Sequence, residues 1–123
     1  MSGRFLDLKQ GKVWLLENGR GAPLFYLHGF VDVHSIKEGW MPFHDRLATG
    51  ARVIAPAHPG CSQSDENNDI EAIEDVVFHY LEFLDALNIP QFDLVGCCVG
   101  GWIAAELAAR HAARVRKMVL IGA

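Results

Sequence analysis

The sequence predicts an α/β protein built on a parallel sheet, and three observations carry that reading. Short apolar runs alternate with segments of helical spacing, the pattern of βαβ units. The run at 23–27 (PLFYL) is continuously apolar, and those at 52–55 (RVIA) and 117–121 (KMVLI) are apolar after one leading basic residue, as suits buried strands. A glycine-rich turn, Gly96 to Gly101, joins a further strand candidate, Phe92–Val95, to an alanine-rich helical segment. Half of the 123 residues are hydrophobic and 21% are charged, an ordinary globular balance. That length sets one domain, residues 1–123.

Arg4–Leu8 and Lys12–Glu17 read as two strands of a hairpin turning at Gln10-Gly11. Pro23–Leu27 is the first buried strand and stops at His28-Gly29. Pro42–Ala48 is a short helix, with Phe43 and Leu47 one turn apart. Trp40 and Phe43 either pack that helix or line a pocket. Arg52–Ala55 is the next strand, ended by Pro56, and a polar loop runs from Ala57 to Asn68. Asp69 is the expected N-cap of an amphipathic helix whose apolar stripe is Ile70, Ile73, Val77, Tyr80, Leu81, Leu84 and Leu87. Asn88 and Pro90 end it. Phe92–Val95, a helix over Trp102–His111 and a last strand over Lys117–Ile121 complete the order. The acidic residues Asp65, Glu66, Asp69, Glu71, Glu74 and Asp75 read as a solvated loop leading into a helix N-terminus, where the dipole favours carboxylates.

Composition excludes several classes. Net charge is −4 with no basic run, so no nucleic-acid footprint is expected. No apolar run reaches the roughly 20 residues of a membrane span, and Met1 to Phe5 lacks the apolar core of a signal peptide. The three cysteines make neither a disulfide framework nor a zinc site. A reducing cytoplasm is therefore the expected location. No metal or other cofactor is expected, and the partner expected is a small-molecule substrate.

The chemistry concentrates in Gly96-Cys97-Cys98-Val99-Gly100-Gly101. A nucleophile elbow needs a reactive residue on a strained strand-to-helix turn, with small residues two before and two after it. Gly96 and Gly100 meet that demand around Cys98. The helix behind supplies free N–H groups and favours a thiolate. Cys97, at the variable position, reads as a packing residue. An acyl-transfer site needs two oxyanion donors. Val99 N–H is one, and Phe30 N–H, in the loop after His28-Gly29, is the other. His28 reads as a residue orienting that loop, and His58 as loop packing. His34, His44, His79 and His111 have no partner spacing. His79 falls opposite the apolar stripe and is expected in solvent. Asp32, shortly after the His-Gly pair, is close enough in sequence to reach the site, but the expectation is an exposed loop carboxylate.

LHGF at 27–30, VIAPAHPGCSQSD at 53–65, YLEFLDALNI at 80–89 and LVGCCVGGWIAAELA at 94–108 resemble the α/β-hydrolase superfamily. More narrowly they resemble its single-domain ester, epoxide and C–C-bond hydrolases. The resemblance implies a doubly wound, mostly parallel sheet with residues 4–17 as antiparallel N-terminal strands, truncated after the strand that follows the nucleophile helix. It assigns Cys98 to the nucleophile, Phe30 and Val99 to the oxyanion hole, and His28, Gly29, Gly96 and Gly100 to shaping the site. Most members carry Ser where this chain has Cys98. Dienelactone-hydrolase-like enzymes and polyhydroxyalkanoate synthases are the members that use Cys. In the family order an acid and a His follow on later loops, here from sequence beyond Ala123 or from the C-terminal half as a separate chain. The implied activity is hydrolysis of a carboxylic ester or thioester through a Cys98 acyl-enzyme. An acyltransferase with the same nucleophile, or an inactive fragment or binding module, are the alternatives.

Overall fold

A computed structural model describes residues 1–34 and 39–122 of the chain. Ala123, the reference point for the expected truncation, lies outside the described residues. Six strands form one sheet in the order β1-β2-β4-β3-β5-β6. β1 (Ser2–Leu8) and β2 (Gly11–Asn18) make the N-terminal hairpin, and β2 pairs antiparallel with β4 (Arg52–Pro56). β3 (Pro23–Leu27) runs parallel to β4 and to β5 (Phe92–Cys97), and β5 runs parallel to the edge strand β6 (Val115–Ile121). The sheet is thus mixed and mostly parallel in its centre, as the sequence predicts.

Side chains alternate across each strand, and the two faces carry separate cores. Phe25, Leu27, Ile54 and Leu94 face α2 (Ile73–Ala86) and α3 (Val99–Arg110). Leu24, Tyr26, Val53, Ala55 and Val95 face the other way, toward Trp40 and Leu47 of the α1 segment (α1, Pro42–Leu47). Continuous apolarity in β3, β4 and β5 follows from this burial on both sides. Phe25 anchors the larger core, with its ring centroid 5.4, 5.9 and 5.6 Å from those of Tyr80, Phe83 and Phe92.

The two longer helices differ from the sequence reading. The N-cap of α2 is Ala72 rather than Asp69. Asp75, in the first turn, reaches back to accept from the N–H groups of Glu71 (2.9 Å) and Ala72 (3.1 Å), which ends the loop three residues later than expected. The buried stripe of α2 includes Phe83 and His79, while Leu81 is only half-buried. α3 starts at Val99, immediately after the turn, and not at Trp102.

Trp40 and Phe43 pack α1: Trp40 Nε1 donates to Asp45 (2.8 Å), and the Phe43 ring lies 6.4 Å from Tyr26. β6 has few neighbours beyond β5 and α3. Met118, Val119, Leu120 and Ile121 are 40, 55, 42 and 37% exposed. No helix among the described residues is long and apolar enough to cross a membrane.

Candidate active site

The turn between β5 and α3 is one residue long. Cys98 takes φ 54° and ψ −118°, a left-handed conformation costly for any residue with a Cβ. Its carbonyl accepts from Gly101 N–H (2.9 Å) and Trp102 N–H (3.3 Å), which starts the helix, and its own N–H donates to Ile121 O (2.9 Å) at the end of β6. The strain is therefore held by hydrogen bonds on both sides. Glycine is required around it by space. A Cβ on Gly96 would lie 2.5 Å from Gly100 O and 2.8 Å from Ala104 Cβ, and one on Gly100 would run into the carbonyls of Leu27 and His28.

The loop after β3 lies flush against this elbow. A Cβ on Gly29 would sit 2.9 Å from Cys98 Cβ and 3.3 Å from Cys98 Sγ. Only a glycine lets the two turns approach so closely. Phe30 and Val31 follow with their side chains 72 and 69% exposed. Val99 N–H is the first of α3, so it has no intrahelical carbonyl to meet. The N–H groups of Phe30 and Val99 thus belong to two backbone segments that converge on Cys98. An open, mainly apolar depression of about 330 Å³ begins at Val99 and Trp102 and runs to Ile70 and Val76.

All three cysteines are free thiols. Cys97 Sγ lies 4.0 Å from Cys98 Sγ and packs against the smaller core. Burial, followed by the charge of Asp32 and then by Cys98, pushes the Cys97 thiol up to about 11. At neutral pH Cys97 therefore stays protonated.

The histidines near the site are occupied. His58 Nε2 meets His28 O at 2.8 Å, so it carries the proton, and His58 Nδ1 accepts from the Tyr80 hydroxyl. His58 N–H donates to His28 Nε2 (2.9 Å), which leaves His28 Nδ1 to donate to Gly29 O (2.8 Å). The two rings stack 3.8 Å apart and tie the β3 and β4 loops together. Burial, above all other influences, pulls His58 down to about 3 and lowers His28 as well. His34 Nε2 lies 2.6 Å from Ala55 O, and His44 Nδ1 accepts from Met41 N–H (3.1 Å). His111 sits at the C-terminal cap of α3.

Two expectations are corrected. His79 is 7% exposed and not solvated; neither ring nitrogen meets a protein partner, and burial lowers it to about 4. Asn67, Asp69 and Ile70 of the polar loop line a small cavity together with His79, so the loop lies beside that face of α2. Asp32 is 4% exposed. Its Oδ2 accepts from Tyr26 Oη (2.6 Å) and its Oδ1 from Gly29 N–H (2.7 Å). Burial and then Asp32 push the Tyr26 hydroxyl far above its ordinary value, so it remains a donor. From the sequence, Asp32 lies within reach of the site, but both it and His79 are expected in solvent. The available signal was an Asp three residues beyond a turn glycine, where a short carboxylate reaches back to the backbone.

A mixed, mostly parallel sheet with helices on both faces, and a strained residue on a tight strand-to-helix turn at the C-terminal end of β5, define an α/β architecture with an elbow-type turn. Residues 22–123 match the alpha/beta hydrolase fold family, and the chain belongs to it. The chain is 42% identical over 109 residues to a 2-hydroxymuconate semialdehyde hydrolase of Pseudomonas sp. strain CF600, covering 88% of this chain and 38% of the relative. It is 34% identical over 106 residues to a 2-hydroxy-6-oxo-2,4-heptadienoate hydrolase of Pseudomonas putida, covering 85% of this chain and 38% of the relative. The crystal structure of a mutant of the meta-cleavage product hydrolase CumD superposes with TM-score 0.83 at 28% identity, over 94% of this chain and 43% of that one. The chain therefore spans about 38% of the length of the relatives it matches.

Proposed function

We propose that the protein is a hydrolase in which Cys98 attacks a substrate carbonyl carbon while the N–H groups of Phe30 and Val99 receive the oxyanion. The single observation that carries this is the backbone of Cys98: a side-chain-bearing residue held at φ 54° between β5 and α3, with glycines packed around it. Such strain persists at sites where it serves function. In the reaction Sγ bonds to the carbonyl carbon, the oxyanion collapses, and the leaving group departs with a proton. Water then hydrolyses the acyl-thioester and frees Sγ. His28 and His58 have both ring nitrogens committed to loop bonds. The base and its acid partner are proposed to come from later loops, as the family order implies, in the same polypeptide or in a separate chain. A thiol nucleophile beside a second free thiol suits a reducing compartment, so the cytoplasm remains the proposed location.

Carboxylic esters and thioesters are the substrate class this chemistry serves most directly. A second reading has support from the relatives named as hydrolases of 2-hydroxymuconate semialdehyde and 2-hydroxy-6-oxo-2,4-heptadienoate. In that reading the attacked carbonyl belongs to an unsaturated oxo acid, and the leaving group is carbon. Assay of the full-length protein on a p-nitrophenyl ester and on 2-hydroxymuconate semialdehyde separates the two. In either case Cys98→Ala is expected to lower turnover by at least about 10³-fold. Turnover retained in that variant would remove Cys98 from the nucleophile role.

A further inference from the structure

We propose that Asp32 is a positioning residue of the oxyanion hole, holding the His28-Gly29-Phe30 turn against the Cys98 elbow so that Phe30 N–H stays aimed at the reacting carbonyl. The inference rests on the Cys98 reading above and adds a residue that the elbow motif does not contain.

Burying a carboxylate is costly unless its oxygens are satisfied. Asp32 is 4% exposed, and among the described residues it forms no ion pair. It is held by two neutral donors, one on each oxygen: Tyr26 Oη at 2.6 Å and Gly29 N–H at 2.7 Å. The two donors differ in kind. Tyr26 belongs to the central strand β3 and is 1% exposed, with its ring 4.9 Å from that of His44. It is a fixed point. Gly29 belongs to the loop, has no side chain to pack, and must lie within a Cβ's width of Cys98. Asp32 thus links the rigid strand to the soft glycine.

Gly29 is held on both sides. His28 Nδ1 donates to Gly29 O at 2.8 Å, which orients the Gly29–Phe30 peptide, and Asp32 holds the peptide before it. The Phe30 side chain is 72% exposed and adds no packing anchor. Oxyanion stabilisation depends on donors fixed before reaction, so Phe30 N–H keeps its aim while both peptides flanking Gly29 stay held. Both Asp32 oxygens already accept hydrogen bonds, so its task here is to hold backbone and not to move a proton. A carboxylate suits this because it accepts on both oxygens and its charge shortens and strengthens both bonds, whereas a neutral amide makes weaker ones and has a single acceptor.

The test uses the full-length protein with p-nitrophenyl acetate as substrate and iodoacetamide as a probe of Cys98. Alkylation by iodoacetamide develops no oxyanion, so it reads the thiol and the elbow without the Phe30 donor. For Asp32→Asn, kcat is expected to fall about 10- to 100-fold with KM within about twofold, while the alkylation rate is unchanged. For Tyr26→Phe, which withdraws one donor and leaves the Gly29 bond, kcat is expected to fall about 3- to 10-fold with alkylation again unchanged. Turnover within about twofold of wild type in both variants overturns the proposal. A parallel loss of turnover and alkylation also overturns it, because Asp32 would then support the elbow or the whole fold. If Asp32→Asn does not yield folded protein, the near-isosteric Tyr26→Phe decides on the same readouts. Failure of the Cys98 reading looks different: Cys98→Ala keeps wild-type turnover, and that result overturns this inference with it.

Discussion

At the scale of single residues, the site is a strained cysteine surrounded by residues chosen for size. Cys98 at φ 54° and ψ −118° carries on the order of 1–3 kcal/mol of backbone strain. Glycine adopts that conformation without a Cβ penalty. Cys98→Gly is therefore expected to raise stability by about 1 kcal/mol in urea denaturation while abolishing iodoacetamide labelling at that position. A variant less stable than wild type would show that the thiol contributes more by packing than the backbone stores in strain. Cys98, Gly96 and Gly100 are legible in the sequence because their spacing is local: each glycine makes room for atoms within a few residues, or for a strand directly beneath. Asp32 and Tyr26 are not legible in that way. Their bond depends on a loop turning back over the end of β3, and neither residue type signals burial on its own.

At the scale of elements, the seam between the β3 loop, the β4 loop and α2 is built from buried neutral histidines. His34, His58 and His79 are lowered to about 4, 3 and 4, chiefly by burial, and His28 and His44 are lowered in the same direction. The unfolded chain takes up these protons near pH 6.5, whereas the folded chain takes them up only well below it. Stability is thus fully present above about pH 6.5 and is lost as pH falls toward 4. With three such groups the loss between pH 7 and pH 5.5 is expected to be roughly 3–4 kcal/mol, measured by urea unfolding at the two pH values. His79→Leu should reduce that difference by about a third, since it removes one of the three protons. A flat profile would mean that these rings become protonated in the folded state. The sequence places His79 in solvent because helical periodicity treats one face of α2 as covered. The 67–70 loop lies beside another face, across a small cavity from His79, and that approach has no signature in spacing. The α2 start is misplaced for a related reason: Asp69 and Asp75 both suit a helix N-terminus, and only the fold chooses between them.

At the scale of the whole molecule, strand identity and sheet class are legible because burial on both faces writes continuous apolar runs into β3, β4 and β5. The strand order β1-β2-β4-β3-β5-β6 rests on pairings between distant segments, which no local pattern in the sequence records. The same architecture sets the last expectation, which concerns β6. Its partner β5 covers one side, and its outer edge has no strand beside it among the described residues. Met118 and Leu120 share the face of Leu94, and Val119 and Ile121 share the face of Val95, yet all four remain 37–55% exposed. Four consecutive exposed apolar residues on a sheet edge, with unpaired N–H and C=O groups, make a template for pairing with another chain. Residues 1–123 expressed alone are therefore expected to self-associate in a concentration-dependent way by light scattering at about 100 μM. Val119→Lys places a charge on the most exposed of these side chains and leaves its backbone pairing with Val95 in place. A lysine on an edge strand opposes edge-to-edge pairing, so this variant should stay monomeric at the same concentration with an unchanged far-UV spectrum. Wild-type 1–123 that remains monomeric there would show that the β6 edge is already protected.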